Sequence, residues 1–247
     1  MMTVRCIHAG NPGPMTGSGN NTWLIDGAEP TLVDAGVGAR SHVDAIAEAL
    51  GGRALRRVLL THGHADHASG APALRTRWPG VEVCKFSPDA NDQRPLADGQ
   101  EILAGDYPLT VLYTPGHTID HVCFWDPRTR DLFAGDMVTA GTTVMIPAGR
   151  GGGLRAYLAS LERMAALEPA RLLPGHGPVV DRPREIIEQY LEHRRMRDAQ
   201  VRACLEAGIS EVDGMVKRIY PDLPEGLVAA ARATIEAHIE KLREEGL

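Results

Sequence analysis

The stretch Thr61-His62-Gly63-His64-Ala65-Asp66-His67 constrains this chain more than any other part of it. Three imidazoles and a carboxylate fall within six residues, directly after the apolar run Val58-Leu59-Leu60. A run that short and that apolar reads as a buried strand, so the cluster lies where a strand delivers the chain into a loop. His62 and His64 are two apart, and in extended backbone they project to one side. Asp66 and His67 fall where the chain turns into a helix, which aims them beside the first pair. Nitrogen and carboxylate ligands together suit zinc, and also iron or manganese.

Three further polar points follow, each after an apolar run and each beside a glycine. They are His117 in Y-T-P-G-H-T, Asp136 in L-F-A-G-D and His176 in L-L-P-G-H-G. Glycine lets the backbone turn sharply and come close to a ligand. Each point alone is an ordinary turn. Joined to the first cluster they make a set of five His and two Asp. That set suits two metal ions, each with about three protein ligands and one carboxylate bridging both, and it leaves a position for water, as a catalytic site requires.

Around these residues the pattern is strands in two batches with helices between them. Strands are expected at 3–8, 22–26, 31–33, 57–61, 81–85, 109–114, 121–126, 131–134 and 171–173. Helices are expected at 40–50, from near Asp66 to Pro79-Gly80, and at 154–167. After Pro183 the character changes. Residues 184–207 form a long charged helix with Ile186, Ile187, Tyr190, Leu191, Val201 and Leu205 as its apolar stripe, followed by helices near 211–219 and 225–245. The chain divides into 1–182, carrying the chemistry, and a helical C-terminal domain, 183–247.

T-H-G-H-A-D-H resembles the signature of the metallo-β-lactamase superfamily, and His117, Asp136 and His176 match its later motifs in order and context. The resemblance implies an α+β fold, the αββα four-layer sandwich, with a dinuclear site along one edge. It implies one ion on His62, His64 and His117, a second on Asp66, His67 and His176, and Asp136 between them. T-P-G-H-T-I-D-H, A-G-D-M-V-T-A-G-T-T-V, P-G-H-G-P-V-V and I-I-E-Q-Y-L-E-H-R-R-M-R resemble the beta-lactamase-like protein 2 family. Members of that family carry a small winged-helix-like domain after the sandwich. Activities in and around it include endoribonucleases acting on single-stranded RNA and carrier-protein thioesterases.

The chemistry expected is that of a dinuclear hydrolase directing a metal-bound hydroxide at a carbonyl or phosphoryl centre. Asp66 is expected to be catalytic, orienting the nucleophile or carrying its proton while it ligates. His121, in H-T-I-D-H, is either catalytic, protonating the leaving group or stabilising an oxyanion, or a strand histidine that packs or supports a ligand from behind. Thr142 and Thr143 offer hydroxyls, with Thr143 taken as the substrate contact against plain turn chemistry. Asn20 and Asn21 in G-S-G-N-N-T-W read as a hairpin turn, with a mobile substrate loop as the alternative. The loop G-R-G-G-G lacks the Lys-Ser/Thr of a phosphate-binding loop and reads as part of the site mouth, with Arg150 and Arg155 available to anions.

Composition narrows the substrate. No stretch reaches the ~18–20 apolar residues needed to span a bilayer, and the N-terminus has no apolar run long enough for a secretory signal. Cys6, Cys84, Cys123 and Cys204 are scattered, which fits small buried hydrophobes in a reducing cytoplasm. The net charge of −6 gives no general attraction for nucleic acid. A local basic helix does exist, with Arg182, Arg184, Arg194, Arg195, Arg197 and Arg202 facing four acids, although a solvated face is the plainer reading. Aromatic residues are only 4% of the chain, leaving few platforms for stacking bases. The expected activity is hydrolysis of a thioester- or ester-type substrate, small or carrier-linked, with two divalent ions, zinc before iron or manganese. A single-stranded RNA endoribonuclease is the alternative. A non-catalytic metal-binding module is the outside one, and it would need a closed coordination shell. A true β-lactamase is disfavoured because Asp136 stands where the resemblance places cysteine or nothing in those enzymes. The C-terminal stripe is expected to pack either on its own sandwich or on a second copy in a homodimer.

Overall fold

Strands buried on both faces account for the two batches of short apolar runs. The structure, a computed structural model, describes residues 3–13, 16–87, 95–141, 143–146, 148–149 and 152–246. Thr142 and Arg150 therefore lie outside the described residues. The first sheet places β1 (Val4–His8), β2 (Asn21–Ile25), β3 (Thr31–Val33), β4 (Arg57–Leu60), β5 (Glu82–Phe86) and β6 (Pro95–Leu96) side by side in that order. Pairing is antiparallel from β1 to β3 and parallel from β3 to β6. The second sheet holds β7 (Glu101–Ala104), β8 (Tyr107–Tyr113), β9 (Val122–Asp126), β10 (Asp131–Gly135) and β11 (Arg171–Pro174), in the order β11-β10-β9-β8-β7. It is antiparallel except for the β10–β11 pair.

Alternation along each strand sorts side chains into layers. Trp23 and Ile25 of β2 point between the sheets, where they join Val33, Leu59, Phe124 and Phe133. Leu24 points the other way, to Ile46 and Leu50 of α1 (Arg40–Leu50) and Leu74 of α3 (Ala71–Arg77). The outer face of the second sheet, with Leu112, Cys123 and Leu132, is covered by Tyr157 and Leu161 of α4 (Leu154–Ala166) and by Ile187 and Tyr190 of α5 (Pro183–Glu206). The order helix, sheet, sheet, helix is the four-layer sandwich expected. Beyond it, Val201 and Cys204 of α5 pack with Met215 of α6 (Val212–Ile219) and Ile235 and Ile239 of α7 (Val228–Glu244). One helix thus serves two cores, and its apolar stripe packs within its own chain. No helix among the described residues is long and apolar enough to cross a membrane.

Three local features differ from expectation. The helix foreseen from Asp66 to Pro79 is two, α2 (Ala65–Ala68) and α3. Gly70 separates them because the loop after β3 wedges in there. Its N–H donates to Gly36 O at 2.9 Å, and a Cβ on it would stand 2.1 Å from Ala35 O. The hairpin β7–β8, turning at Gly105 with φ 63°, was not foreseen. Cys6 is exposed, unlike the other three cysteines.

Strand ends converge on one edge. Asp34 follows β3, His62 follows β4, Asp136 follows β10 and His176 follows β11. The loop carrying His117 reaches that edge by pressing Gly116, at φ 146°, onto α4, where a Cβ would lie 2.3 Å from Tyr157 Cα. Gly116→Ala is expected to destabilise the fold by about 3 kcal/mol, the cost of forcing a side chain into packed backbone. Urea denaturation of the metal-free protein measures it.

Candidate metal centre

The seven residues singled out by the sequence lie together as two abutting groups. One is His62, His64, His117 and Asp136; the other is Asp66, His67 and His176; within each, the ligand atoms lie within 4.8 Å of one another. His62 Nε2 and His117 Nε2 each approach His64 Nδ1 at 3.0 Å. His67 Nε2 lies 3.3 Å from His176 Nε2. Asp136 touches both groups, with Oδ1 3.3 Å from His67 Nε2 and Oδ2 at 3.6 Å from His117 Nε2 and 3.5 Å from His176 Nε2. Asp66 Oδ2 is 3.3 Å from His176 Nε2. Ligands on one tetrahedral ion at about 2.0–2.1 Å lie about 3.3–3.4 Å apart, which these separations bracket.

The hydrogen bonds behind the rings decide what faces the centre. His117 Nδ1 donates to Met145 O at 3.1 Å, since a carbonyl only accepts. His67 Nδ1 donates to Asp34 Oδ2 at 2.7 Å. Thr61 Oγ1 donates to the Asp34 carboxylate at 3.0 Å, so it accepts from His62 Nδ1, also at 3.0 Å. In the neutral form of all three rings the proton is on the outer nitrogen and the lone pair of Nε2 points inward. Lone pairs of His62, His67 and His117 thus converge with the Asp136 carboxylate, whose buried Oδ1 accepts no hydrogen bond. Acceptors facing acceptors repel unless a cation lies among them, so the donor set fits bound metal.

Without an ion, the titration of these groups shows the same need for positive charge. Burial, then the neighbouring His67 and His121, hold His62 well below the usual histidine range. Burial likewise lowers His117. Burial also opposes charge on His67, but the carboxylates of Asp34 and Asp136 outweigh it and raise His67 well above that range. His176 rises to about 9 against its burial, through hydrogen bonds with Asp136 and Asp66. Protons on His67 and His176 then balance the two carboxylates. A metal ion displaces them.

Asn20 belongs to this site and not to a hairpin turn. It is buried; its Oδ1 accepts from Asn11 Nδ2 at 2.6 Å, and its Nδ2 donates to Asp66 Oδ2 at 3.0 Å. Asp34, which no sequence motif marks, is the partner behind His67. His121 is fully buried with both ring nitrogens engaged. Its Nε2 accepts from the Asp136 N–H at 3.2 Å, which leaves Nδ1 to donate to Thr114 Oγ1 at 2.9 Å. Burial holds it neutral, down to about 3. Of its two readings, these bonds fit a support for Asp136. Thr143 is exposed beside a cavity of about 280 Å³ lined also by Thr139, Gly141, Ile186, Gln189, Tyr190 and His193.

Comparison with known proteins agrees with this geometry. The family described as "Metallo-beta-lactamase superfamily" matches residues 15–176, and "Beta-lactamase associated winged helix domain" matches residues 212–247, which take in α6 and α7. The chain is 30% identical to the beta-lactamase-like protein 2 homolog of Caenorhabditis elegans over 96% of this chain and 83% of that one. Its fold is similar to a beta-lactamase domain protein from Burkholderia ambifaria, with TM-score 0.84 and 23% identity over 98% of this chain and 86% of that one. It is also similar to a structure determined in a di-iron-bound form, with TM-score 0.58 and 27% identity over 70% of this chain and 94% of that one.

Asp34→Asn is expected to weaken metal binding by about 10–100-fold, because it removes the acceptor that fixes the His67 tautomer and, through Thr61, that of His62. Competition with a chromophoric chelator measures the affinity.

Proposed function

This chain belongs to the metallo-beta-lactamase superfamily, among the beta-lactamase-like protein 2 proteins, and on that premise we propose that it hydrolyses a thioester- or ester-type acyl bond at a two-metal centre. Superfamily membership makes it a metal-dependent hydrolase, and the His and Asp cluster supports divalent ions as the cofactor. The convergence of inward lone pairs with the Asp136 carboxylate is the observation that carries the metal chemistry. His62, His64 and His117 would hold one ion, Asp66, His67 and His176 the other, with Asp136 shared. Bound there, the ions would supply hydroxide from water near neutral pH and a Lewis acid for the charge that develops on the substrate oxygen. Zinc suits these ligands, and iron or manganese also.

The chain's own residues position that chemistry. Asp66 is the more exposed of the two carboxylates, 27% against 14% for Asp136. Asn20 fixes Asp66 Oδ2, and the Asp66 carboxylate would orient the nucleophile or take its proton. His121 holds the Asp136 backbone. Thr143 offers its hydroxyl to the substrate at the cavity beside the centre.

That cavity favours an acyl substrate. It adjoins the ligands, since Thr139 follows Asp136 by three residues and its Cγ2 stands 3.5 Å from where a Cβ on Gly177, next to His176, would be. Its walls offer hydroxyl, amide and apolar groups. Burial, then Arg194 and Arg197, push His193 below the usual histidine range, so it is neutral near pH 7. An uncharged acyl arm fits such walls better than a polyanion does. The basic helix is spent within the chain. Arg182, Arg184, Arg195 and Arg202 pair with Glu185, Glu188, Glu192 and Glu245, and Arg194 and Arg197 are buried.

Metal-loaded protein is expected to cleave a generic acyl thioester, to stop on chelation and to recover when zinc, iron or manganese is restored. Asp136→Ala should lose turnover by at least about 10³-fold and release metal, read by stopped assay and elemental analysis. Cleavage of a fluorescent single-stranded RNA with no thioester turnover would move the assignment to the endoribonuclease. Retention of both ions with neither activity would move it to a binding module.

A further inference from the structure

The charged helix α5 turns two arginines inward, Arg194 and Arg197. Arg194 is 2% exposed, among the largest fully buried side chains. Its Nη2 donates to Val144 O at 2.5 Å and to Thr143 Oγ1 at 3.4 Å, and its guanidinium carbon lies 5.5 Å from the centre of the Tyr157 ring. Its Nε finds no hydrogen-bond partner among the described residues. Burying a guanidinium costs more than burying an apolar side chain of like volume, so packing alone does not explain it.

One turn earlier on the same face, Tyr190 grips the other end of the same segment. Its hydroxyl accepts from Thr139 N at 3.1 Å and donates to Thr139 O at 2.9 Å. Residues four apart share a helix face, so α5 holds this strap at both ends. The strap runs from Asp136 to Met145, whose carbonyl accepts from His117 Nδ1. A second path passes through Tyr157, which touches both ligand loops. Its hydroxyl donates to Met137 O at 2.7 Å, beside Asp136, and its backbone is the surface against which Gly116 packs.

We propose that Arg194 is a positioning residue for the metal centre: by pinning Thr143 and Val144 it sets the Met145 carbonyl, and through it the ring of His117. The C-terminal helix thereby governs the half of the site built on His62, His64 and His117. This rests on the reading of His117 as a ligand. A guanidinium suits the task because its donors lie in a fixed plane, whereas an ammonium is a point charge on a flexible stem.

The test compares Arg194→Met and Arg194→Lys with Arg197→Met in the full chain. Arg197 is a matched control, buried on the same helix, 4.1 Å from the Tyr220 ring centre and 2.7 Å from Gln200 Oε1, with no hydrogen bond to the strap among the described residues. Two quantities are read: release of zinc to a chelator, and amide hydrogen exchange over 139–146 in the metal-free protein. The wild type and Arg197→Met should release both ions slowly. Arg194→Met should release one of its two ions at least about 10-fold faster and exchange faster over 139–146, with Arg194→Lys between. Release and exchange unchanged in Arg194→Met, or matched by Arg197→Met, would overturn the proposal. Should Arg194→Met not fold, Arg194→Lys decides, and wild-type behaviour there overturns it equally. A wild type that binds none of zinc, iron and manganese would sink the ligand reading of His117, while the exchange comparison still tells whether Arg194 holds the strap.

Discussion

The Asp34 carboxylate orders two of the donors, His67 directly and His62 through Thr61. It accepts from the Thr61 backbone N–H at 2.8 Å, from the Thr61 hydroxyl and from His67 Nδ1. A buried carboxylate is tolerable when donors surround it, and such a network is stiff because each bond polarises the next. The main chain pays for the arrangement, since Asp34 sits at φ 64°, a conformation that Asp tolerates better than branched residues do. The residues around it are locked too. Asp34 N donates to Leu59 O at 2.9 Å, and Ala35 N donates to His67 O at 2.8 Å. The parallel register of β3 and β4 and the short helix α2 are therefore fixed by the same few bonds that aim two imidazoles.

The metal centre also needs both sheets. The first supplies His62 to His67, and the second supplies His117, Asp136 and His176. Backbone bonds stitch the two at the edge, with Val122 N donating to Thr61 O and Asn21 N donating to Gly175 O, both at 2.8 Å. Relative slip of the sheets would separate the ligand groups by as much as it moved the strands. The apolar layer between them, with Trp23, Phe124 and Phe133, resists that slip by close packing. Core and site are thus one mechanical problem.

What could be read from the sequence follows from how local each signal is. Histidines clustered after a strand declare themselves because the residue type is scarce and the spacing is short. The two batches of strands and the long C-terminal helices were legible from periodicity, whereas the layer order came from the resemblance of the motifs to a known family. Asp34 was not, because Asp-Ala-Gly after a strand is also what a turn looks like, and its role appears only when Thr61 and His67 are brought against it. Asn20 hid in a glycine-rich loop for the same reason. The break at Gly70 depends on a loop more than thirty residues away in the chain. Arg194 read as a solvated charge, because the stripe of α5 was judged by its apolar members and the helix passes between two cores.

Helix α5 also separates binding from chemistry. Ile186, Gln189, Tyr190 and His193 line the cavity at the spacing of one helical face, opposite Thr139 and Thr143 of the strap. The ligands come from strand ends of the sandwich, so the cavity wall on α5 can change in shape or polarity without touching a metal ligand. Tyr190 is the exception on that face, because it lines the cavity and also holds Thr139. Arg194, one residue beyond His193, holds the strap's other end. Substitutions at Ile186, Gln189 or His193 then change the cavity wall alone, whereas those at Tyr190 and Arg194 act on the strap that leads back to His117. A helix that closes the sandwich on one half and anchors the C-terminal helices on the other makes the shape of the cavity and the rigidity of the centre depend on adjacent side chains.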